Sequence, residues 1–168
     1  MRERVKPHRL KIQKTKPKLA KSWWLYEANP KGLHKAIGRS NYFRRGIDGD
    51  HGEPLANVMV IARVSSTNAF SFVSADQIFD CALIVVASND FGLFSVLQSG
   101  IHFTYAWQHG GKMRYDLRYS PTMCFVTFPF PEKDKLKTLY QPGLNFNNTR
   151  EKIMEERGIG LTRLANLI

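Results

Sequence analysis

Residues 116–131 read Asp-Leu-Arg-Tyr-Ser-Pro-Thr-Met-Cys-Phe-Val-Thr-Phe-Pro-Phe-Pro, a charged segment followed by an apolar one. The apolar part predicts a strand over about residues 123–128, since Phe, Val and Thr favour strands and the prolines at 129 and 131 cannot donate to a sheet. Just before it, charged residues occupy every second position: Lys112, Arg114, Asp116 and Arg118. Alternate side chains of an extended backbone share a face, so we expect one charged face that could meet base edges.

Outward from this stretch, the pattern is that of a small α+β domain. Strand-like runs rich in β-branched and aromatic residues occupy 57–64, 69–73 and 82–87. Apolar residues at helical spacing then predict one helix from Phe91 to about Trp107, capped by residues 88–90 and ended by the His-Gly-Gly at 109–111. The expected fold is α+β: a mixed small sheet with one long helix, a basic N-terminal arm and a C-terminal helix.

Length and composition indicate one ordinary domain. The chain has 168 residues, of which 43% are hydrophobic, enough for a real core. No apolar run approaches the roughly 20 residues of a membrane span, and no secretory signal is present, so a cytoplasmic location is expected. We divide the chain into a basic arm or linker (1–22), a core domain (23–131) and a C-terminal helical tail (132–168).

Positive charge is concentrated at the N-terminus. Fourteen Lys and Arg residues against two Glu give residues 1–45 a net charge of +12, so the remaining chain carries −1 of the total of +11. Two prolines interrupt residues 2–21, which predicts an extended arm. Such an arm could follow phosphates through its cations, or it could be a solvated linker. The candidate contacts to a nucleic-acid backbone are Arg9, Lys11, Lys14, Lys16, Lys18 and Lys21.

Few residues suggest catalysis or metal binding. Cys81 and Cys124 lie in apolar runs and are expected to be buried structural thiols, since they lack paired Cys/His spacing. Acidic residues and one His at 48–53 do not complete a metal loop. His102 lacks a carboxylate at helical spacing, so a polar-face or core histidine is expected rather than a general base. Phosphate-binding loops and hydrolase motifs are absent from the sequence.

Arg63 and the C-terminal residues each allow two interpretations. Arg63 falls in an apolar strand and should need a partner, which could be a phosphate or a buried carboxylate. In the tail, Pro142-Gly143 should break the chain, and a helix over 148–157 should stop at Gly158. The apolar residues at 161–168 suggest either docking on the domain or a truncated reading frame.

A series of short motifs, in order, resembles the C-terminal portion of the MmeI-like family of fused restriction and adenine-methylating enzymes. They are Trp23-Trp24, Ala62-Arg63-Val64-Ser65, Ala69-Phe70-x-Phe72-Val73, Phe91-Gly92-Leu93, Leu97-Gln98-Ser99, Asp116-Leu117-Arg118-Tyr119-Ser120, Phe128-Pro129-Phe130-Pro131 and Gly160-Leu161-Thr162. The resemblance covers about residues 5–166. It implies a target-recognition domain over 23–131, with the catalytic parts upstream.

The resemblance also implies which side chains meet DNA bases. They are Arg114, which could contact guanine, Asp116, which could accept from a cytosine amino group, and Arg118. Lys112 is a further candidate, because it belongs to the same alternating run of charged residues. Arg63 is a candidate for the DNA backbone. In the alternative, Asp116 and Arg118 only pair with each other or cap the turn at residues 120–121.

No cofactor is expected in this chain, because S-adenosylmethionine and Mg²⁺ would belong to a missing catalytic domain. The chain is then a degenerate fragment, or a specificity subunit that pairs with a separate methyltransferase/nuclease chain. Its expected function is sequence-specific recognition of duplex DNA without catalysis. The alternative is a non-catalytic fragment that binds RNA or DNA non-specifically through its arm, with bases stacked on Trp23, Trp24 or Tyr26.

Overall fold

The computed structural model describes residues 2–23, 31–38 and 54–167. The acidic loop at 48–53 and the aromatic residues Trp24 and Tyr26 lie outside the described residues. The helices are α1 (Arg2–Lys11), α2 (Pro17–Lys21), α3 (Lys31–Ala36), α4 (Phe91–Gln98), α5 (Gly100–His109), α6 (Lys133–Thr138), α7 (Tyr140–Arg157) and α8 (Leu161–Ala165). The strands are β1 (Asn57–Ala62), β2 (Val64–Ser65), β3 (Ser71–Ser74), β4 (Leu83–Val86), β5 (Gly111–Met113) and β6 (Asp116–Arg118).

An antiparallel sheet in the order β3-β1-β4 forms the centre of the core. The four middle residues of β1 are buried, so this strand is covered on both faces. Met59 and Ile61 pack into the larger core cluster with α4, α5 and β6, while Val58 and Val60 pack with Ile37 on the other face. The uninterrupted apolar run in β1 follows from this double burial.

A second antiparallel sheet has the order β2-β6-β5. It continues from β1 through Arg63, whose backbone N–H donates to Ala82 O at 2.7 Å. The three strand-like runs of the sequence are therefore strands in the structure, and the α+β class is confirmed.

The expected single helix after residue 90 is wrong, because two helices replace it. Asp90 caps α4 as predicted, accepting from the N–H of Leu93 at 2.6 Å, and the second helix ends at His109 before Gly110. Between them, Ser99 adopts an extended conformation with φ −70° and ψ 152°. Its hydroxyl donates to Val96 O at 2.6 Å and accepts from the next helix at 3.2 Å. Serine thus ends one helix and caps the next.

The predicted strand at 123–128 is also wrong, because Pro121–Val126 form a π-helical turn. This turn places Cys124 in the core, with no exposed surface, and its thiol lies 3.8 Å from Ala106 O. Burial against α5 therefore overrides the strand preference of the residues. Cys81 corrects a second expectation, since its thiol is exposed.

The C-terminal residues pack on α4. Pro142 and Gly143 do not break the chain but lie in the first turn of α7, where a proline loses no hydrogen bond. Gly143 faces the backbone of Phe91 so closely that a Cβ atom would overlap it. Helix α7 ends at Gly158, as predicted, with a left-handed φ of 58°, and Leu164 of α8 is buried against the domain.

The N-terminal residues are helical, so the expected extended arm is wrong. Pro7 lies inside α1, and Pro17 begins α2, which is a favourable place for proline. The two helices contact each other, and Ala20 is buried. Lys, Arg, Leu and Gln between the prolines are good helix formers, and this preference outweighs the interruptions.

Candidate nucleic-acid interface

The charged segment folds as a β-hairpin. Strands β5 and β6 are antiparallel, and Met113 lies opposite Asp116. Arg114 and Tyr115 alone remain in the loop between them. The expectation of a continuous extended segment over residues 112–118 is therefore wrong, because the chain reverses direction in its middle.

One face of β6 is buried and the other presents charge. Leu117 and Tyr119 are each 2% exposed and belong to the core. Side chains alternate along a strand, so Asp116 and Arg118 point away from that core. Arg118 is exposed, and Asp116 is half-buried. This pair therefore does share one face, as the sequence predicted.

Lys112 does not belong to that face, which corrects the expected set of four. It lies opposite Leu117 in the hairpin, so its side chain leaves from the other side of the sheet. There, its ammonium lies 5.3 Å from the ring centre of Trp107, a distance suited to a cation–π contact. Arg114, in the loop, lies beyond the paired strands.

A buried hydrogen bond holds β6 against the core. Nε2 of His102 and the phenol oxygen of Tyr119 lie 2.9 Å apart, and Phe70 packs edge-on against the Tyr119 ring at 5.8 Å. Burial lowers the pKa of His102 to about 4 and raises the pKa of Tyr119, so both are neutral near pH 7. His102 is thus the core histidine expected from the sequence.

Asp116 and Arg118 have polar groups free for a ligand. Among the described residues, neither side chain makes an ion pair or a hydrogen bond, so the alternative in which they pair with each other is not realised in this structure. Arg118 lies across the strand from Gly111, where a Cβ atom would meet its Cβ and Cδ at 3.5 and 3.6 Å. The arginine stem therefore lies over β5, at ordinary van der Waals distance from the position of such a Cβ atom.

Arg63 lies beside this hairpin, at the junction of β1 and β2. Its carbonyl accepts from the N–H of Tyr119 at 2.8 Å. The side chain is exposed, and in the described ranges it has no carboxylate partner. The alternative of a buried carboxylate is therefore not found, and a phosphate contact stays a prediction.

The six basic residues predicted to contact the DNA backbone lie on the N-terminal helices and the turn between them. Arg9 is half-buried, and the five lysines at 11, 14, 16, 18 and 21 are exposed. Arg9 and Lys16 each have an interaction partner. Exposure makes phosphate contacts sterically feasible, and the contacts themselves stay predictions.

Sequence reasoning missed the most exposed aromatic residue of the site. Tyr115, in the hairpin loop, is 93% exposed, and Met113 beside it is 57% exposed. The Gly-Gly pair at residues 110–111, followed by alternating polar and apolar residues, could have indicated a β-hairpin. It was hidden because Arg114-Tyr115 is not one of the usual two-residue hairpin turns.

A second missed residue is Arg150 of α7, which is 7% exposed. It donates to Phe70 O at 2.6 Å and to the side-chain oxygen of Asn147 at 2.9 Å, and burial lowers its pKa. It also lines a cavity of about 450 Å³ against α7 and α8. Arg150 thus ties α7 to the loop before β3.

Fold and site together define a small α+β domain that presents a charged β-hairpin on a buried support. The chain belongs to the family described as "MmeI, target recognition domain", which matches residues 4–132. The resemblance inferred from the motifs is therefore confirmed.

A curated relative, "DNA methyltransferase A" of Bacillus subtilis (strain 168), is 33% identical to this chain over 78 residues. That match covers 44% of this chain and 9% of the relative, so the chain aligns with a small part of it. No solved structure matches. In the part of the chain that the structure describes, no helix has the length and apolarity to cross a membrane, and no cluster of His, Cys, Asp and Glu could hold a metal.

Proposed function

We propose that this chain reads a specific sequence in duplex DNA for an adenine-methylating restriction-modification system. The observation that carries the proposal is the shared, unpaired face of Asp116 and Arg118 on a strand whose opposite face is buried. Family membership supports DNA recognition as the role of the domain.

The hairpin suits the major groove. That groove admits a two-stranded β-ribbon and shows a different pattern of donors and acceptors for each base pair. The carboxylate of Asp116 accepts from a cytosine amino group, and the guanidinium of Arg118 or Arg114 donates to guanine. Each well-formed pair contributes about 1–3 kcal/mol of discrimination against a wrong base.

Rigid support makes this discrimination possible. Because Leu117 and Tyr119 are held in the core, Asp116 and Arg118 project from a backbone that cannot easily shift to suit another base pair. Within the described chain, neither side chain has a hydrogen-bond or ion-pair partner. DNA bases therefore displace only water from this pair and do not have to break an internal ion pair.

The basic residues provide affinity without sequence information. We propose that exposed lysines of α1 and α2, together with Arg63, contact phosphates and release counterions. Binding should then weaken steeply as salt rises, while the base preference is retained.

We further propose that methylation and cleavage are performed by a methyltransferase and nuclease part that works with this chain. S-adenosylmethionine and Mg²⁺ would be bound there and not by the described residues. The relative named DNA methyltransferase A supports this association.

The test is selection from a random pool of duplex DNA at two salt concentrations, followed by sequencing of the bound fraction. We expect the wild-type chain to enrich one motif. An Asp116→Ala variant should still bind but lose preference at one base position, because one base-specific acceptor is removed.

Asp134→Ala is the matched control, since it removes the same charge from an exposed site on α6 where Asp134 pairs with Lys137. It should enrich the wild-type motif. Salt-sensitive binding without any enriched motif would contradict the proposal and favour non-specific binding through the basic helices. Equal loss of selectivity in both variants would show that net charge, not position, matters.

A further inference from the structure

The tip of the hairpin carries an aromatic side chain that the reading of bases by Asp116 and Arg118 does not use. Tyr115 is 93% exposed. Among the described residues it makes no hydrogen bond or ring contact, so the fold gains little from it. Single exposed apolar side chains are normal, but Tyr115 and the exposed Met113 lie within three residues at the same hairpin tip, and an apolar tip of this kind points to a binding partner.

One of the two loop residues has an unfavourable backbone conformation. Arg114 has φ 60°, the single positive value for a non-glycine among the described residues. Two-residue hairpin loops with a positive φ at the first position favour glycine there. The positive φ costs stability at Arg114, so an arginine rather than a glycine at this position favours a role for the exposed tip beyond forming the turn.

The surroundings of the tip indicate which partner it meets. Met113, 57% exposed, lies opposite Asp116 and therefore on the same face, so an apolar tip adjoins the proposed base-reading pair. Arg114 adds a positive charge beside the ring. An exposed aromatic ring next to a cation suits a nucleic acid, because a base can stack on the ring while a backbone phosphate pairs with the charge.

We propose that Tyr115 inserts against a base step next to the base pairs read by Asp116 and Arg118, where it partly unstacks the step and adds specificity for deformable sequence. This proposal rests on the proposed function. Steps of a pyrimidine followed by a purine unstack most easily, so the recognised site should contain one beside the charged contacts.

The test compares wild type, Tyr115→Ala and Tyr115→Phe on the motif enriched by the wild-type chain. The duplex carries 2-aminopurine at the flanking step, because its fluorescence rises when the base unstacks. Tyr115→Phe should behave as wild type, since the ring is kept. Tyr115→Ala should bind on the order of 5- to 150-fold more weakly and give no fluorescence rise.

Two controls separate this role from general effects. Ile78→Ala removes another apolar side chain, 89% exposed and outside the hairpin, and should change neither affinity nor fluorescence. Thermal unfolding of all variants should be alike, because neither residue is buried.

The outcomes distinguish this inference from the function on which it rests. Wild-type affinity and an unchanged fluorescence signal in Tyr115→Ala would overturn the inference and leave the proposed function intact. Failure of the wild-type chain to enrich any motif would overturn both. Weaker binding by Tyr115→Phe equal to that of Tyr115→Ala would also overturn it, since the hydroxyl rather than the ring would then act.

Discussion

Acidification should weaken the fold through the buried His102. Its pKa is about 4 in the folded chain, against an ordinary value of 6.5, because the ring is fully buried. The unfolded chain therefore binds more protons between these values. The contribution of His102 to stability is complete above pH 6.5 and is lost as pH falls toward 4.

The size of the effect follows from the two pKa values. One pKa unit corresponds to about 1.4 kcal/mol, and at pH 5 the unfolded histidine is almost fully protonated while the folded one is not. Between pH 7 and pH 5 the free energy of unfolding should fall by about 2 kcal/mol. The hydrogen bond between His102 and Tyr119 supports β6, so the face that we propose reads DNA should loosen over the same pH range.

The assay is urea unfolding of wild type and a His102→Gln variant at pH 7, 6 and 5. Glutamine can still hydrogen-bond the phenol of Tyr119 but cannot titrate. The stability of the variant at any one pH can therefore differ from that of wild type, while its pH dependence shows what the other titratable groups contribute. Between pH 7 and pH 5, we expect the free energy of unfolding to fall by about 2 kcal/mol more in wild type than in the variant. Parallel pH dependences of wild type and variant would refute the assignment of acid sensitivity to His102.

Three substitutions, one of them with a matched control substitution, test other parts of the structure. Arg114→Gly should leave the free energy of unfolding unchanged or raise it by about 1 kcal/mol, because relief of the positive φ offsets the flexibility of glycine. The same variant should bind DNA more weakly. Clear destabilisation in a urea titration would contradict a strained loop. Arg150→Leu should lower the free energy of unfolding by about 2–3 kcal/mol in the same titration, because the buried carbonyl of Phe70 loses its donor. A decrease below about 0.5 kcal/mol, on the scale of a surface change, would count against the structural role of Arg150. Gly143→Ala should lower the free energy of unfolding by about 1–3 kcal/mol, because the added methyl group pushes α7 away from α4. Gly100→Ala, at a position with open space around it, should be neutral or slightly stabilising. Equal melting temperatures for these two variants would disprove the close helix contact.

The elements that the sequence predicted well are those with strong local signals. The run at 57–64 is apolar at every core position of β1, and Asp90 and Gly158 are standard helix caps, so their roles follow from short-range chemistry. The alternation of Asp116, Leu117 and Arg118 also survived in β6, because a strand always places neighbouring side chains on opposite faces.

The errors arose where distant contacts override local preference. Residues 123–126 have a strand-like composition, but burying Cys124 beneath α5 requires a helical turn. The helix after residue 90 has a continuous apolar period, yet the hydroxyl of Ser99 interrupts it. At Lys112, alternation alone could not reveal that the chain reverses before Asp116.

The sequence by itself determined the family, the α+β class and the charged residues that are candidates for reading DNA, because motifs, periodicity and charge are properties of short segments. The tertiary structure alone decided which of those residues share a face. Strand pairing puts Asp116 and Arg118 on one face and Lys112 on the other, and burial of Tyr119 against His102 fixes that arrangement. Register and burial depend on residues far apart in the chain, so no local pattern contains them.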